Sequence, residues 1–496
     1  MDGARSAAIV VASNRGPVSF RRADDGSLTA RRGGGGLVSG LSAIGASTDV
    51  VWVCAALSDA DRAAARRAPG GRLDRAGFDT GGSAVHMLDI DPGTMHRAYN
   101  DIANSTLWFV HHLLYDTATK PTFDASFRRQ WQSYLAYNRA FADALAAEAA
   151  DGAKVVVQDY HLTVTPRMLR ERRRDLRIGH FSHTPWAPPD YFRLLPDDVA
   201  RDLLLGILGA DHAGFLTRRW ADAFADCCEV VLGAKVDRAD GEPPGSCAGP
   251  AAHAASVSVD GRTTHIGVHG LGADGGFLRE RSRDADVESR RAALAELVAG
   301  RRMILRVDRT ELSKNIVRGL VAYRELLRSH PELHGRVVHV VMAYPSRHDL
   351  PEYREYTAAV QRAAKEIEDE FGTADWEPLI LSVEDDFARS LAAYRLADVV
   401  LVNPVRDGMN LVAKEVPVVS ERGCALVLSR EAGAYFDLGT DALVVNPYDI
   451  VETAEALYAG LTIDPAERAA RSERLAAAAA ALPPQQWFAD QLAALD

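Results

Sequence analysis

The chain has 496 residues, 47% of them hydrophobic and 25% charged, with a net charge of −11; it is too long for one core and apolar enough to fill two or more. An acidic balance argues against a general nucleic-acid binder, which needs clustered positive charge. Five cysteines, Cys54, Cys227, Cys228, Cys247 and Cys424, form no CxxC pair, which favours reduced thiols and a cytoplasmic protein, and with no apolar run near ~18 residues neither export nor membrane spanning is supported.

Along the chain, short β-branched runs alternate with longer helical stretches. Residues 8–12, 50–53, 155–157 and 178–181 read as strands in the first half, and 303–307, 337–341, 379–381, 399–402 and 425–428 in the second. Strands alternating with helices imply parallel sheets, so the expected class is α/β with two doubly wound domains. Residues 1–267 are expected to form the first domain and 268–482 the second, with the crossover near 267–275. The stretch 237–264, rich in Gly, Pro, Ala and Ser, reads as a loop within or near the end of the first domain. The Ala-rich run 475–482 and Pro483-Pro484 separate one helix from a final amphipathic one at 485–495. That last piece, 483–496, is expected either to pack back on the first domain or to be an ordinary core helix.

Several constellations fall at the carboxyl ends of these strands, where α/β sheets bind ligands. Ser13-Asn14-Arg15 follows the first strand, and a glycine run, 33–36 with Gly35 and Gly36 at its end, lies about twenty residues on; glycine lets backbone approach a diphosphate. Asp159-Tyr160-His161-Leu162 and His183-Thr184-Pro185 follow two neighbouring strands, placing a carboxylate and an imidazole where they can orient polar substrate groups. In the second half Arg309 leaves a strand and Ser313-Lys314-Asn315 looks like a helix start; a guanidinium and an ammonium there suit a leaving diphosphate. The run from Arg406 through Asp407, Gly408, Asn410, Leu411 and Val412 to Glu415 lies between two buried strands and opens onto a helix, whose first amides and dipole favour phosphate. Walker A, GxGxxG and GxSxG patterns are absent, and the fifteen histidines are scattered, so ATP hydrolysis, dinucleotide binding, serine hydrolysis and a catalytic metal all lack support.

Taken together, Ser13-Asn14-Arg15, the 33–37 loop, Tyr99-Asn100 with Leu107-Trp108, Asp159 to Leu162, His183-x-Pro185, Arg309 with Lys314, Ser346-Arg347, Arg406 to Glu415 and Val445 to Asp449 resemble the trehalose 6-phosphate synthases. These are retaining glycosyltransferases of the GT-B architecture, two Rossmann-like domains facing a cleft. The resemblance implies that Arg309 and Lys314 hold a nucleotide diphosphate with the amides of Leu411 and Val412, that Glu415 holds the ribose, and that Gly35, Gly36 and Asn410 belong to the nucleotide site. It implies further that Arg15, Tyr99 and Arg347 hold an acceptor phosphate beside Trp108, and that Asp159, His183 and Asp407 surround the transferred ring. Guanine, if that is the base, is expected near 382–387. No cofactor or metal is implied; the ligands are a nucleotide-activated donor and a phosphorylated acceptor, with no nucleic acid or membrane partner. A homodimer is compatible with apolar residues on helices, a pattern equally expected of core.

The departures from the family pattern are Ala55 for tryptophan, Gln158 for the histidine before Asp159, Thr310-Glu311-Leu312 for Leu-Asp-Tyr, and Asn315 for glycine. They look like the pseudoglycosyltransferase branch of the validamycin pathway, which couples GDP-valienol to validamine 7-phosphate through a C–N bond and releases GDP. The alternatives are a true trehalose 6-phosphate synthase using GDP- or UDP-glucose with glucose 6-phosphate, and a non-catalytic sugar-phosphate sensor.

Overall fold

A computed structural model describes residues 7–32, 50–239, 252–347 and 349–496. The chain divides into two compact units: one runs to Leu271 and also takes in Pro484–Asp496, and the other spans Gly272–Pro483.

The first unit is built on strands β1 (Ala7–Ala12), β4 (Val50–Ala55), β5 (Ala84–Leu88), β6 (Ala149–Gln158), β7 (Arg177–Ser182), β8 (His212–Phe215), β9 (Lys235–Arg238), β10 (Ala252–Val259) and β11 (Arg262–Val268), with a separate hairpin of β2 (Val18–Arg22) and β3 (Leu28–Arg32). The nine-stranded sheet has the order β5-β4-β1-β6-β7-β8-β11-β10-β9. It is parallel from β5 to β11 and antiparallel through β10 and β9. The central strands read as continuous apolar runs, Val10 to Ala12, Val51 to Ala55 and Val155 to Val157, all 5% exposed or less, because helices cover both faces of a parallel sheet. One expectation is corrected here. The stretch 237–264 is not simply a loop, since all of β10 and the start of β11, Arg262 to Thr264, lie inside it; alternating Val and polar residues in Ala255 to Val259 suit a half-exposed strand, a period-2 signal outweighed in the composition by the neighbouring Gly and Pro.

The second unit carries β12 (Arg302–Arg309), β13 (Val337–Tyr344), β14 (Leu379–Ser382), β15 (Val399–Val402), β16 (Ala425–Ser429) and β17 (Leu443–Val445). All pair in parallel, in the order β14-β13-β12-β15-β16-β17. Ile304, Leu320, Tyr323, Val341, Leu401, Val427 and Leu457 form the heart of a core in which each is 1% exposed or less.

Both sheets reverse direction of growth at one point: between β1 and β6 in the first, between β12 and β15 in the second. At such a switch the loops leaving adjacent strands turn to opposite faces and open a crevice at the carboxyl edge.

The C-terminal helix Pro484–Ala493 is part of the first unit. Trp487 and Phe488 are fully buried, Trp487 meets the Phe181 ring edge-on at 5.0 Å, and Lys154 donates to the Leu492 carbonyl at 3.0 Å.

Candidate functional site

In the first unit the residues after β1 and β6 are held by buried hydrogen bonds. Ser13 Oγ accepts from Trp52 Nε1 at 2.7 Å and donates to the Arg15 carbonyl at 2.6 Å, while Asn14 Oδ1 accepts from the Tyr137 hydroxyl at 2.6 Å. Arg15 itself is exposed. Gly16 is needed beside it, since a Cβ there would stand 2.5 Å from Cys54 Sγ.

Asp159 follows β6 with φ 75°, left-handed backbone that a non-glycine residue adopts at a cost of about 1 to 3 kcal/mol. Its amide donates to the Phe181 carbonyl at 2.7 Å, and its Oδ1 accepts from the His183 amide at 3.2 Å. His161 Nδ1 lies 3.9 Å from Asp159 Oδ2, and the His161 ring stacks on Tyr99 at 5.5 Å and 13°. Tyr99, His161, Asp159 and His183 thus form one contiguous row. Burial and the nearby His180 push the His183 imidazole down to about 3, so it is neutral near pH 7. Tyr99 comes from an unusual element, the π-helix Arg97–Leu107, of the kind found at functional sites. Trp108 follows it, only 8% exposed and stacked on His112 at 3.8 Å.

The second unit assembles its site from ion pairs. Lys314 Nζ lies 2.6 Å from Asp407 Oδ2, with side chains only 14% and 15% exposed, so the pair spans the switch between β12 and β15. Burial works to discharge Lys314, but Asp407 and Asp308 outweigh it and hold its pKa above the usual lysine value. Ser313-Lys314-Asn315 does not begin an α-helix directly: a 3-10 turn, Leu312–Lys314, precedes the helix Ile316–Ser329. Asn315 breaks the run with φ 60°, and its side-chain amide donates to the Asn403 and Pro447 carbonyls at 2.9 and 2.7 Å.

Arg309, at the end of β12, pairs with Glu311 at 2.8 Å, and Arg347 approaches the same carboxylate at 3.7 Å. The structure therefore joins two arginines that the sequence assigned to separate phosphates, through a fully buried acid that it assigned to neither. The only sequence signal for Glu311 is its departure from the family pattern.

The loop after β15 is pinned on both sides. Gly433 donates to the Asp407 carbonyl at 3.2 Å and Ala434 to that of Met409 at 2.7 Å. A Cβ on Gly433 would lie 1.9 Å from the Gly408 oxygen, so glycine is required for this approach. Asn410, at φ 75°, caps the helix Leu411–Val419 by accepting from Ala413 N and donates to Asp407 Oδ2 at 3.1 Å. The first-turn amides of Leu411 and Val412 are ones the helix itself does not use. Burial pushes Glu415, in that helix, up to about 7, and a hydrogen bond from Tyr394 pulls the other way. Gly35 and Gly36 lie outside the described residues.

Of seven non-glycine residues with positive φ among the described residues, Asp159, Asn315, Arg347 and Asn410 belong to these two sites. Strained backbone of this kind collects at functional sites, which makes the carboxyl edges of both sheets the candidate sites. Among the described residues no group of three or more His, Cys, Asp or Glu is placed to hold a metal ion, and no helix is long and apolar enough to cross a membrane.

The profile of glycosyltransferase family 20 matches residues 7–496. The chain belongs to this family. Family 20 relatives include an α,α-trehalose-phosphate synthase (UDP-forming) of Schizosaccharomyces pombe, 32% identical over 96% of this chain and 87% of that protein. A bifunctional trehalose-6-phosphate synthase/phosphatase of Thermoproteus tenax is 31% identical over 93% of this chain, which spans only 60% of that protein's length. Among solved structures, an E. coli protein bound with UDP-2-fluoro glucose superposes with TM-score 0.82 at 27% identity over 98% of both chains. An α,α-trehalose-phosphate synthase (UDP-forming) of Burkholderia vietnamiensis superposes with TM-score 0.81 at 28% identity over 98% of this chain and 99% of that one. The family 20 chain is accordingly a transferase, and its two Rossmann-like units are those of the GT-B class.

Proposed function

We propose that this chain transfers a glucosyl group from a nucleoside-diphosphate glucose to glucose 6-phosphate with retention, releasing the nucleoside diphosphate and forming trehalose 6-phosphate. The observation that carries the reading is similarity to a UDP-forming synthase over 96% of the chain, at 32% identity, accompanied by the Lys314–Asp407 pair at the switch point. In the proposed reaction Lys314, Arg309 and the amides of Leu411 and Val412 neutralise the departing diphosphate, while Asp407, Asp159 and His183 hold the ring. Glu415 takes the ribose, and Arg15, Tyr99 and Arg347 take the acceptor phosphate beside Trp108. The bond between the anomeric carbon and the phosphate oxygen breaks as the acceptor hydroxyl adds on the same face, its proton passing to the departing phosphate. Positioning and charge neutralisation supply the rate.

The departures from the family pattern fit this reading. Asn315 occupies a left-handed position that suits glycine and turns its side chain into scaffold, away from any need for a new ring. The pseudoglycosyltransferase reading, GDP-valienol with validamine 7-phosphate, is kept second because Gln158 touches His183 at 2.8 Å, next to the proposed position of the transferred ring. Purified protein incubated with UDP- or GDP-glucose plus glucose 6-phosphate, and separately with GDP-valienol plus validamine 7-phosphate, separates the two by mass spectrometry. Trehalose 6-phosphate from the first mixture is expected. A coupled amine from the second alone would replace the reading, and tight binding without turnover in either would make the chain a sensor.

A further inference from the structure

We infer that Gln158 and Gln491 are positioning residues that fix His183 as its Nε2–H tautomer, leaving Nδ1 as a hydrogen-bond acceptor for a hydroxyl of the transferred sugar. The inference deepens the proposed function and rests on it for the identity of that hydroxyl-bearing ligand.

The argument begins at an atom whose polarity is not in question. The Trp487 backbone carbonyl can only accept, and the nearby side-chain atom of Gln491 is Nε2, at 3.4 Å; turning that amide over would set two oxygens against each other. Gln491 Oε1 therefore faces Gln158, whose Nε2 donates to it at 2.9 Å. The Gln158 oxygen is then the atom 2.8 Å from His183 Nε2. An amide oxygen cannot donate, so the ring nitrogen must carry the proton. Both glutamines are buried, at 0% and 4% exposure. An amide turned over there would leave a buried polar atom unpaired, which is costly away from water.

The ring's other neighbours do not reverse this. Phe181 meets it edge-on at 4.8 Å and the Trp487 ring lies at 5.3 Å; neither carries an acceptor that would draw the proton to Nδ1, since Phe has no polar atom and an indole N–H only donates. The titratable groups nearby are Asp159, whose Oδ1 takes the His183 backbone amide, and His180, which disfavours a second positive charge and acts with burial to keep the ring neutral. A neutral ring with its proton on Nε2 has a bare Nδ1, and a bare nitrogen accepts from O–H. Where the family pattern has a histidine before the Asp-Tyr-His-Leu run, this chain has Gln158, an amide that does not titrate. The C-terminal helix, through Gln491, thereby reaches a group of the site without touching ligand.

Histidine-labelled protein read by ¹⁵N NMR tests this without any turnover. The expected His183 signal is a neutral Nε2–H ring with a pyridine-type Nδ1, unchanged between about pH 6 and 8; an Nδ1–H ring or an imidazolium in that range overturns the inference. Gln158→Leu is expected to give a tautomer mixture and to raise KM for the nucleotide sugar about 10-fold with a smaller change in kcat. Gln491→Leu, which removes no atom in contact with the ring, is expected to move both readouts in the same direction by less. A wild-type tautomer retained in folded Gln158→Leu also overturns it. If either variant fails to fold, the wild-type spectrum still decides. Failure to make trehalose 6-phosphate would sink the proposed function while leaving the tautomer result intact, and an Nδ1–H ring in an active enzyme would do the reverse.

Discussion

The carboxyl edges of the two sheets carry different kinds of chemical group. At the carboxyl edge of the first sheet stacked rings and neutral hydrogen-bonding groups predominate, Tyr99 on His161 and His183 on Gln158, with the Asp159 carboxylate among them, over a buried scaffold of Tyr–Asn and Trp–Ser bonds. At the same edge of the second sheet it is made of ion pairs: Lys314 with Asp407, Arg309 with Glu311, and beneath them Arg306 with Asp308 at 3.0 Å. Pairing a cation with a carboxylate keeps it charged in a buried place and aimed, so that in the proposed reaction a diphosphate meets oriented donors. Neutral groups in a stiff frame suit hydroxyls, which are discriminated by direction more than by charge. Rossmann-like topology is common to both, and the chemistry is set by what each switch point carries.

The largest test of that contrast is acid. His180, His183, His212 and His269 are buried in the first unit with pKa values held down to about 4, 3, 3 and 4, burial being the main cause; among the described residues the second unit has one such residue, His339, at about 3. Depressed folded-state values mean that the unfolded chain takes up protons first. The stability from these groups is complete above the ordinary histidine value of about 6.5 and is lost as pH falls toward 4, on the order of 1.4 kcal/mol per group per pH unit. The first unit is therefore expected to open at higher pH than the second. Six of the seven tryptophans, all but Trp376, lie in it, so fluorescence should change before amide exchange quickens in β12 to β16; simultaneous opening would break the comparison.

Next in size is Lys314→Ala, which strands a buried carboxylate at about 3 to 5 kcal/mol and removes a phosphate counter-charge worth about 100- to 1000-fold in kcat/KM. The double change Lys314→Met with Asp407→Leu should recover most of the melting temperature and none of the activity, separating the structural from the chemical role of the pair. Arg309→Ala is expected to lower kcat/KM about 30- to 1000-fold in a protein that still folds, since the Arg309 side chain is 43% exposed; near-normal turnover would remove it from diphosphate binding. Tyr137→Phe strikes the neutral scaffold instead. It should cost about 1 to 2 kcal/mol by leaving Asn14 Oδ1 short of a donor, seen as a lower melting temperature, and raise KM for the acceptor phosphate through Arg15.

Smallest is the pH dependence of donor binding. With Glu415 raised to about 7 by burial, ionisation costs folded-state stability as pH rises from about 4.5 through 7, but it supplies a better acceptor for ribose hydroxyls. Donor KM should fall several-fold between about pH 6 and 8, and Glu415→Gln should flatten that profile.

The sequence by itself determined the strands, because parallel strands buried on both faces must be apolar along their length, as residues 399–402 and 425–428 are. It determined the family as well, since Arg309, Lys314, Asp407 and Glu415 stand at fixed places beside those strands. The edge pair β9 and β10 was hidden by the composition of its surroundings, and the π-helix that presents Tyr99 has no periodicity signal of its own. Only the tertiary structure decided the partnerships. Glu311 joins Arg309 to Arg347 across 36 residues of separation, counting Glu311 to Arg347, and Gln158 meets Gln491 across 333. Periodicity and propensity act over a few residues along the chain; a hydrogen bond or ion pair between distant residues exists only once the sheet has set their strands side by side.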